Sequence, residues 1–539
     1  MEPAVAIATS FRTLDIIVIL AYFGAITVAG IYFARKKNNT TEEYFLGGRN
    51  FPAWAIGLSM VGTSISSVSF LAYPADAYKT AYLRLLLTFT LPIGVLVASI
   101  FFLPFFRRGQ VTSAYEYLEG RFGAGTRLYA AIAFLITQVV RLGMILYLLS
   151  VLVSHLTGLD PYLCIVLGGL FVAFYTVVGG IEAVVWTDVA QTIVLLLGGF
   201  VCLYFIVSKL DGGFSEIISV ANANHKFSFS EVEIGAEGAI TVLPMSWDVD
   251  FYRKTGTMML LVGLTNWLFE YSTNQNIVQR YCASRSAKDA RRAMWICCAA
   301  SIPIWGYFMF LGTALYAYYQ AHPTPEAMDM LVGANGRAAE NILPYFVLNV
   351  LPAGVSGLVI AAVMAAAMSS LDSSISSVST VSVVDIYRRH IKKDADDAHY
   401  LRAAKLFAGL AGVLMISSAI LFKMYEGKTL QDTATTLTAL AAGGLLGLYM
   451  LGFFTKLGDG RAIFAGIVCT VCFSIFSSLK QMNIIPMDAI LPIDLYYTGV
   501  IGHVIMFVFG FGAALLIPAK KDRDLTNLTV WTQDGKPLD

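Results

Sequence analysis

Charged residues are scarce in this chain of 539 residues. Asp, Glu, Lys and Arg together supply 14% of the sequence, hydrophobic residues supply 57%, and the formal net charge is only +1. A nucleic-acid partner is not expected, because such a partner requires clustered basic residues. The mean hydropathy of +0.68 indicates instead an all-α polytopic membrane protein, most of which lies in a lipid bilayer.

Histidine and cysteine are also rare, with six and seven residues. The cysteines fall within or beside apolar stretches, which predicts reduced thiols and no disulfide framework. The histidines lie in loops or near the ends of apolar stretches, and His503 has no acid beside it. Because an intramembrane hydrolase requires paired acids or a Ser/His arrangement at depth, we predict that the chain is not an enzyme.

The sequence lacks a polar region large enough for a soluble output domain. A nutrient sensor built on a transporter body is therefore kept only as an alternative of a different class. The first apolar stretch has no small-residue cleavage site after it, so we expect a retained span rather than a signal peptide. The compact loops and the lack of a targeting segment predict a bacterial inner membrane protein.

Long apolar segments are what the chain does have. A helix of about 20 apolar residues crosses a bilayer core. The sequence predicts 13 such spans, near residues 14–35, 52–74, 80–106, 128–157, 160–178, 183–208, 257–279, 293–319, 350–384, 403–422, 430–455, 461–479 and 496–517. Lys and Arg cluster in alternate connections, which predicts that these connections are cytoplasmic, the amino terminus outside and the carboxyl terminus cytoplasmic.

The ninth span changes abruptly from apolar residues to hydroxyls in the segment 361–377. Ser369, Asp372 and Ser373 stand at i, i+3 and i+4, so their oxygens share one face of a helix. Oxygen ligands of this kind replace the water around a hard cation. A carboxylate at membrane depth indicates a functional site, and the segment therefore predicts a cation site inside the bilayer.

Two other spans carry polar interruptions. The second span is interrupted by glycines and hydroxyls over 57–69, and the seventh by amides and one carboxylate over 265–276. Irregular backbone at membrane depth is tolerated only where it lines a cavity or is buried in protein. Polar breaks at the heads of two five-helix blocks that start from opposite sides of the membrane predict a transporter with an inverted 5+5 repeat and a site near the midplane.

The predicted organisation follows from these blocks. It consists of an N-terminal extra span with a cytoplasmic loop (1–51), a first five-helix repeat (52–209), an extracellular loop (210–256), a second five-helix repeat (257–456), two C-terminal spans (457–517) and a cytoplasmic tail (518–539).

Arg141 is the best indication of the substrate. It lies about 21 Å along the helix axis from Arg127, and Arg127 marks the predicted cytoplasmic end of the span. Snorkelling does not easily reach so far. A guanidinium at mid-depth matches a carboxylate ligand, whereas a structural salt bridge with Glu270 is the alternative.

Several segments together resemble the sodium/solute symporter family, whose fold is of the leucine-transporter type. They are the sequences at 43–49, 179–191, 276–281 and the alanine/serine run of the ninth span. Within that family the chain is most similar to bacterial sialic acid symporters, through 112–119, Arg141 and the predicted number of spans, and more distantly to sodium/glucose and sodium/galactose symporters.

The resemblance implies two sodium sites. The main site consists of the carbonyls of Gly62, Ile65 and Ala366 with the hydroxyls of Ser369 and Ser370. The second consists of Asp188, Ser369, Asp372 and Ser373. Asp372 stands where the subfamily has serine, so tighter sodium binding and proton coupling through Asp372 or Asp188 both stay open. For Asp188 the alternative is a helix cap at the cytoplasmic surface.

The resemblance also implies a pocket for a carboxylate-bearing sugar beside Arg141. Hydroxyls of Ser64, Ser66 and Ser69 would bind the polar body of the substrate. Arg84, Thr88 and Glu270 depart from the subfamily pattern near this pocket, and Arg84 lies close enough to a span end to snorkel instead.

The predicted function is sodium-coupled import of sialic acid or a related sugar acid by alternating access. A neutral sugar, a polyol or a zwitterion is the alternative substrate. Sodium ions, the small solute and the bilayer are the expected partners, without an obligate protein partner.

Overall fold

The computed structural model describes residues 12–34, 40–234, 240–252, 254–332, 338–424, 443–481, 496–520 and 523–534. Helices dominate this part of the chain. They are α1 (Thr13–Ala34), α2 (Thr41–Leu46), α3 (Ala53–Ser64), α4 (Ser67–Lys79), α5 (Leu86–Phe89), α6 (Leu91–Val97), α7 (Leu103–Arg108), α8 (Glu116–Phe122), α9 (Ala124–Thr157), α10 (Pro161–Lys209), α11 (Gly213–Ala223), α12 (Gly256–Ser272), α13 (Gln275–Cys282), α14 (Ala287–Ala321), α15 (Pro325–Val332), α16 (Ile342–Val350), α17 (Val355–Val381), α18 (Asp397–Met424), α19 (Leu445–Phe454), α20 (Gly460–Gln481) and α21 (Tyr497–Leu516).

Short 3₁₀ and π segments connect or continue these helices, at Gly47–Arg49, Leu83–Leu85, Ala98–Phe102, Ala338–Asn341 and Ser382–Ile391. The prediction of an all-helical protein is confirmed for nearly all of the described part, with one exception. Two strands, β1 (Glu231–Ile234) and β2 (Ile240–Leu243), pair antiparallel within the long connection 210–256, with Glu231 opposite Leu243. The described part is thus nearly all-helical, with one small hairpin outside the predicted spans.

The polytopic character is confirmed. Among the described residues, nine helices are long and apolar enough to cross a bilayer, and the bent pair α3 and α4 forms a further candidate span. Each of the 13 predicted spans coincides at least partly with a described helix, although residues 430–442 of the eleventh lie outside the described residues. The total of 13 stays a prediction.

Helix α10 accounts for two predicted spans. Its 49 residues would extend about 74 Å as a single straight helix, far more than the roughly 30 Å of a bilayer core. The backbone breaks at Gly180, where φ is 59° and ψ is −162°. A Cβ atom there would lie 2.8 Å from the ring of Tyr44 and 2.9 Å from its carbonyl oxygen, so both the conformation and the space require glycine.

Helix α17 forms the centre of the bundle. Its most apolar 18-residue window is 89% buried, whereas the corresponding window of α1 is 11% buried. The α17 residues are small, and they let α10 approach closely: a Cβ on Gly198 would lie 2.3 Å from that of Ala362. The hydroxyl-rich half of α17 therefore lies in the interior, away from lipid. All seven cysteines are free thiols in the structure.

The seventh predicted span is interrupted as expected. Helix α12 ends at Ser272, the extended residue Asn274 (φ −77°, ψ 116°) interrupts the helix, and α13 begins at Gln275. The Asn274 side chain accepts a hydrogen bond from the backbone N–H of Asn276 at 3.0 Å, which caps α13. The inverted relation between the two five-helix blocks stays a prediction.

Several arginines that the sequence places in cytoplasmic connections are buried. Arg107, Arg121, Arg127 and Arg280 are each at most 7% exposed. Arg121 donates to four main-chain carbonyls, those of Gly452, Thr455, Leu457 and Gly458. These side chains stabilise the packing of connections against helices, so the predicted orientation depends on the remaining basic residues.

Candidate functional site

The second span breaks between α3 and α4. Ile65 (φ −103°, ψ 96°) and Ser66 (φ −94°, ψ 178°) are extended, and the axes of the two half-helices differ by 56°. Because the helix stops here, the carbonyls of Gly62 and Thr63 lose their i+4 donors. The lack of a side chain at Gly62 is required as well, since a Cβ would lie 2.7 Å from Thr192 Oγ1.

Hydroxyls of α17 satisfy the carbonyls freed by this break. Ser369 Oγ donates to Gly62 O at 2.9 Å and also lies 3.2 Å from Ala366 O. Ser370 Oγ donates to Thr63 O at 3.3 Å. The structure thus brings together three of the five predicted ligands of the main sodium site, Gly62, Ala366 and Ser369, at one point between α3 and α17.

The other two predicted ligands of the main site lie close by. Ser370 contacts Thr63, the residue after Gly62, and Ile65 occupies the break itself. All five predicted ligands are buried. Carbonyl and hydroxyl oxygens of this kind suit a hard monovalent cation, because the serine hydroxyls can turn their hydrogens away and present lone pairs.

The second predicted sodium site contains a guanidinium. Asp188 and Arg280 are both fully buried, and Arg280 Nη2 lies 2.9 Å from Asp188 Oδ2. Ser59 Oγ donates to the same carboxylate oxygen at 2.6 Å, and Arg280 Nε donates to Ser59 at 2.8 Å. Arg280 Nη2 also donates to Ser373 Oγ. Asp188 therefore forms a buried ion pair, and the alternative of a surface helix cap is wrong.

Asp372 lies in the same buried network. Its Oδ2 accepts a hydrogen bond from Tyr175 at 2.9 Å, and its Oδ1 lies 3.3 Å from Ser373 Oγ. Ser373 thus contacts both Arg280 and Asp372, while Asp188 Oδ1 is buried without a partner in the described part of the chain. Two carboxylates and one guanidinium leave one formal negative charge when both acids are ionised, which favours one further monovalent cation.

Sequence reasoning missed Arg280, Ser59 and Tyr175 as members of this network. Arg280 is interpreted from the sequence as a charge in a cytoplasmic connection. A local signal exists: it stands four residues after Asn276, whose carbonyl accepts from Arg280 Nη1 at 2.8 Å. Arg280 therefore lies about one helical turn after the end of the polar segment 265–276.

Arg141 contacts the broken second span. Its Nη2 donates to Thr63 O at 3.2 Å. Among the described residues, Arg141 has no carboxylate within 4.0 Å, and Glu270 instead accepts from Asn274 Nδ2 at 2.7 Å. The direct Arg141–Glu270 salt bridge is therefore absent from the described structure. The same Thr63 carbonyl accepts from Arg141 and from Ser370.

The remaining predicted substrate residues differ in their surroundings. Ser64 and Ser66 are partly exposed at the break, whereas Ser69 is 7% exposed, one turn into α4. Arg84 forms an ion pair with Asp76 at the far end of α4. Thr88 is buried, and its hydroxyl donates to Leu85 O at 2.8 Å.

Residues 44–469 match the model of the Sodium:solute symporter family. The chain belongs to this family and is an integral membrane protein. The sodium/sialic acid symporter SiaT of Proteus mirabilis (strain HI4320) is 32% identical over 516 residues, which cover 95% of this chain and 97% of SiaT.

Two further comparisons agree. The sodium/sialic acid symporter NanT of Aliivibrio fischeri (strain ATCC 700601 / ES114) is 29% identical over 94% of this chain and 93% of its own. A solved substrate-bound, outward-open state of a Na⁺-coupled sialic acid symporter superposes with a TM-score of 0.82 at 30% identity, over 95% of this chain and 100% of that chain.

Proposed function

We propose that this chain is a sodium-coupled symporter that imports sialic acid, N-acetylneuraminate, or a related sugar acid by alternating access. One observation carries the proposal most directly. The carbonyl of Thr63, at the break in the second span, accepts hydrogen bonds from Arg141 at 3.2 Å and from Ser370 at 3.3 Å. The group that we propose to bind the substrate and a group that we propose to bind sodium thereby share one acceptor.

Sodium would bind to Gly62, Ile65, Ala366, Ser369 and Ser370. On binding, sodium would take the place of the hydrogen bonds that Ser369 and Ser370 donate to the carbonyls of Gly62 and Thr63. It would thereby fix α3 against α17. The Thr63 carbonyl then has one donor fewer, which changes the position and charge environment of Arg141. Because linkage is reciprocal, substrate bound at Arg141 also raises the affinity for sodium.

Arg141 would bind the carboxylate of the substrate. Its guanidinium has no directly paired acid in the described structure, and a planar fork suits a carboxylate. We assign the polar body of the substrate to Ser64, Ser66 and Ser69. The contribution of Arg84, Thr88 and Glu270 is indirect in this proposal, because Arg84 is paired with Asp76, Thr88 is bonded to Leu85 in the preceding 3₁₀ segment, and Glu270 is bonded to Asn274.

A second cation would bind at Asp188, Ser369, Asp372 and Ser373. The one formal negative charge left by two acids and Arg280 supports one monovalent ion at this place. Sodium and a proton are the two candidates, because a buried carboxylate such as Asp372 can bind either. Two sodium ions with one organic anion would carry one net charge inward, worth about 2.3 kcal/mol at 100 mV.

The proposed setting is a bacterial inner membrane, with the amino terminus outside and the carboxyl terminus cytoplasmic. The two blocks 52–209 and 257–456 would be the inverted repeats that rock around the fixed site, and 1–51 and 457–517 would be peripheral spans. The relatives in the comparisons are transporters, which agrees with transport rather than chemical conversion.

Binding to the purified chain tests the proposed recognition. Calorimetry with N-acetylneuraminate in sodium and in potassium should give binding in sodium only, because sodium organises the break. The methyl ester of N-acetylneuraminate, which has no carboxylate, should bind at least tenfold more weakly. Arg141→Gln should abolish this discrimination, whereas Arg84→Gln serves as a matched control and should keep it.

Equal binding of the acid and its ester by the wild type would contradict a carboxylate-reading site. Sodium-dependent stabilisation without any binding of N-acetylneuraminate would keep the symporter and remove this substrate. A neutral sugar, a polyol or a zwitterion would then be the candidate, with Glu270 partly neutralising Arg141 across the pocket as the physical reason.

A further inference from the structure

A cavity lies at one end of the bundle, where the starts of α9 and α20 meet. Its volume is about 830 Å³. Helices α9 and α20 both begin at this cavity, and the segment after α21 reaches it with Lys520 and Arg523. Three spans therefore end here, which places the cavity at the boundary between the bilayer and water.

The cavity extends from this boundary into the depth of the acyl chains. Ile132 lines it about 12 Å along the helix from the start of α9, and Ile467 lines it about 10 Å from the start of α20. Ile132 is 45% exposed and Phe464, also in the lining, is 64% exposed. These apolar side chains face outward from the bundle, so the inner part of the cavity opens towards lipid.

The outer part of the cavity is positively charged. Four basic residues and two acidic residues line it, namely Arg121, Arg461, Lys520, Arg523, Glu119 and Asp459. Their formal sum is +2. Glu119 is also paired with Arg127 and Arg389, which further reduces the negative charge available to a ligand. The first residues of α9 and α20 line the cavity, and the amino-terminal end of a helix carries partial positive charge.

Two of the basic groups have unused hydrogen-bonding capacity. Lys520 is exposed, and its ammonium has no partner in the described part of the chain. Arg523 donates through Nη1 to Gly458 O at 2.5 Å. Arg523 lines the cavity, and with this one donated bond its guanidinium keeps further N–H groups for a ligand oxygen.

We propose that this cavity binds an anionic phospholipid, with the headgroup phosphate between Lys520 and Arg523 and an acyl chain along Ile132 and Phe464. The charge selects an anion, and the exposed apolar wall at acyl-chain depth selects a lipid over a free phosphate. Basic pockets between transmembrane helices recognise anionic headgroups in this way. Arg461, at the rim, would contact the headgroup from the water side while it stays paired with Asp459 at 2.9 Å.

Thermal unfolding of the full chain in detergent, titrated with lipid, tests the proposal. Phosphatidylglycerol should raise Tm in a saturable manner, whereas phosphatidylcholine with the same acyl chains should not. Lys520→Gln should weaken the apparent affinity for phosphatidylglycerol roughly fivefold, since one Lys near an anionic headgroup is worth about 1 kcal/mol. Lys288→Gln is the control, because Lys288 is an exposed lysine outside the cavity.

A second pair of variants tests the apolar wall without a change of charge. Ile132→Trp would fill the acyl-chain part of the cavity and should reduce the phosphatidylglycerol response, whereas Ile136→Trp, on the same helix but outside the lining, should not. Equal effects of phosphatidylglycerol and phosphatidylcholine, equal losses in Lys520→Gln and Lys288→Gln, or the same Tm increase with inorganic phosphate alone would each overturn the proposal.

Discussion

The buried pair Arg280 and Asp188 gives the sharpest prediction about how the ion-binding region is held together. Both side chains are fully buried, and the guanidinium contacts Asp188, Ser59, Ser373 and the carbonyl of Asn276. Arg280→Met removes all these donors and leaves a buried carboxylate with only the Ser59 hydroxyl as a donor. Breaking a buried pair in this manner costs about 3–5 kcal/mol.

The matching double variant separates this cost from a general loss of packing. Arg280→Met with Asp188→Asn removes both charges, and replacement of a whole buried pair by neutral groups is often close to neutral. The double variant should therefore recover at least half of the stability lost in Arg280→Met. Sodium should also raise the Tm of Arg280→Met more than that of the wild type, because it can replace the missing positive charge beside Asp188 and Asp372.

Thermal unfolding in detergent, followed by intrinsic tryptophan fluorescence, measures these differences. Arg292→Met is the control for loss of an arginine, because Arg292 is exposed on α14. The reasoning is refuted if Arg280→Met unfolds within one degree of Arg292→Met, or if the double variant is less stable than Arg280→Met.

Three further predictions concern other parts of the chain. Ser369→Ala removes the hydroxyl that meets Gly62 O and should abolish the increase of Tm with sodium, whereas Ser417→Ala, on exposed α18, should keep it. Burial lowers the pKa of Lys226, in the connection after α11, from 10.5 to about 7. Between these pH values the unfolded chain binds one more proton than the folded chain, so the stability of the folded chain rises with pH. Lys226→Met should flatten this rise when Tm is measured as a function of pH. Gly180→Ala would place a Cβ 2.8 Å from the ring of Tyr44 at a φ of 59°, and it should lower Tm by several degrees more than Gly409→Ala, where a Cβ meets nothing within 4 Å.

The sequence predicts the ion-binding half of the site better than its electrostatic surroundings. Ser369 and Asp372 stand on one helical face, and the break near Gly62 follows from glycines and hydroxyls inside an apolar span. These are local patterns with a period or a composition that the sequence displays directly. The position of Arg280 is different, because its burial depends on how α13 packs against α3 and α17, and that contact joins residues far apart in the chain.

Two smaller differences have similar causes. The pairing of Arg84 with Asp76 depends on the turn between α4 and the following 3₁₀ segment, whereas the sequence alone places Arg84 only near a span end. The hairpin of β1 and β2 has a sequence signal, which is an alternating run on each side of a glycine-containing segment. The segment 210–256 is polar as a whole, and the sequence therefore predicts only a connection there, without strands.

Uptake of labelled N-acetylneuraminate into proteoliposomes that contain the purified chain tests the central claim most directly. With an inward sodium gradient the account predicts accumulation, accelerated by an inside-negative potential and lost when potassium replaces sodium or when Arg141 is changed to Gln. Uptake of equal rate and extent in sodium and in potassium, or no uptake by protein whose Tm still responds to sodium, would contradict sodium-coupled import of sialic acid by this chain.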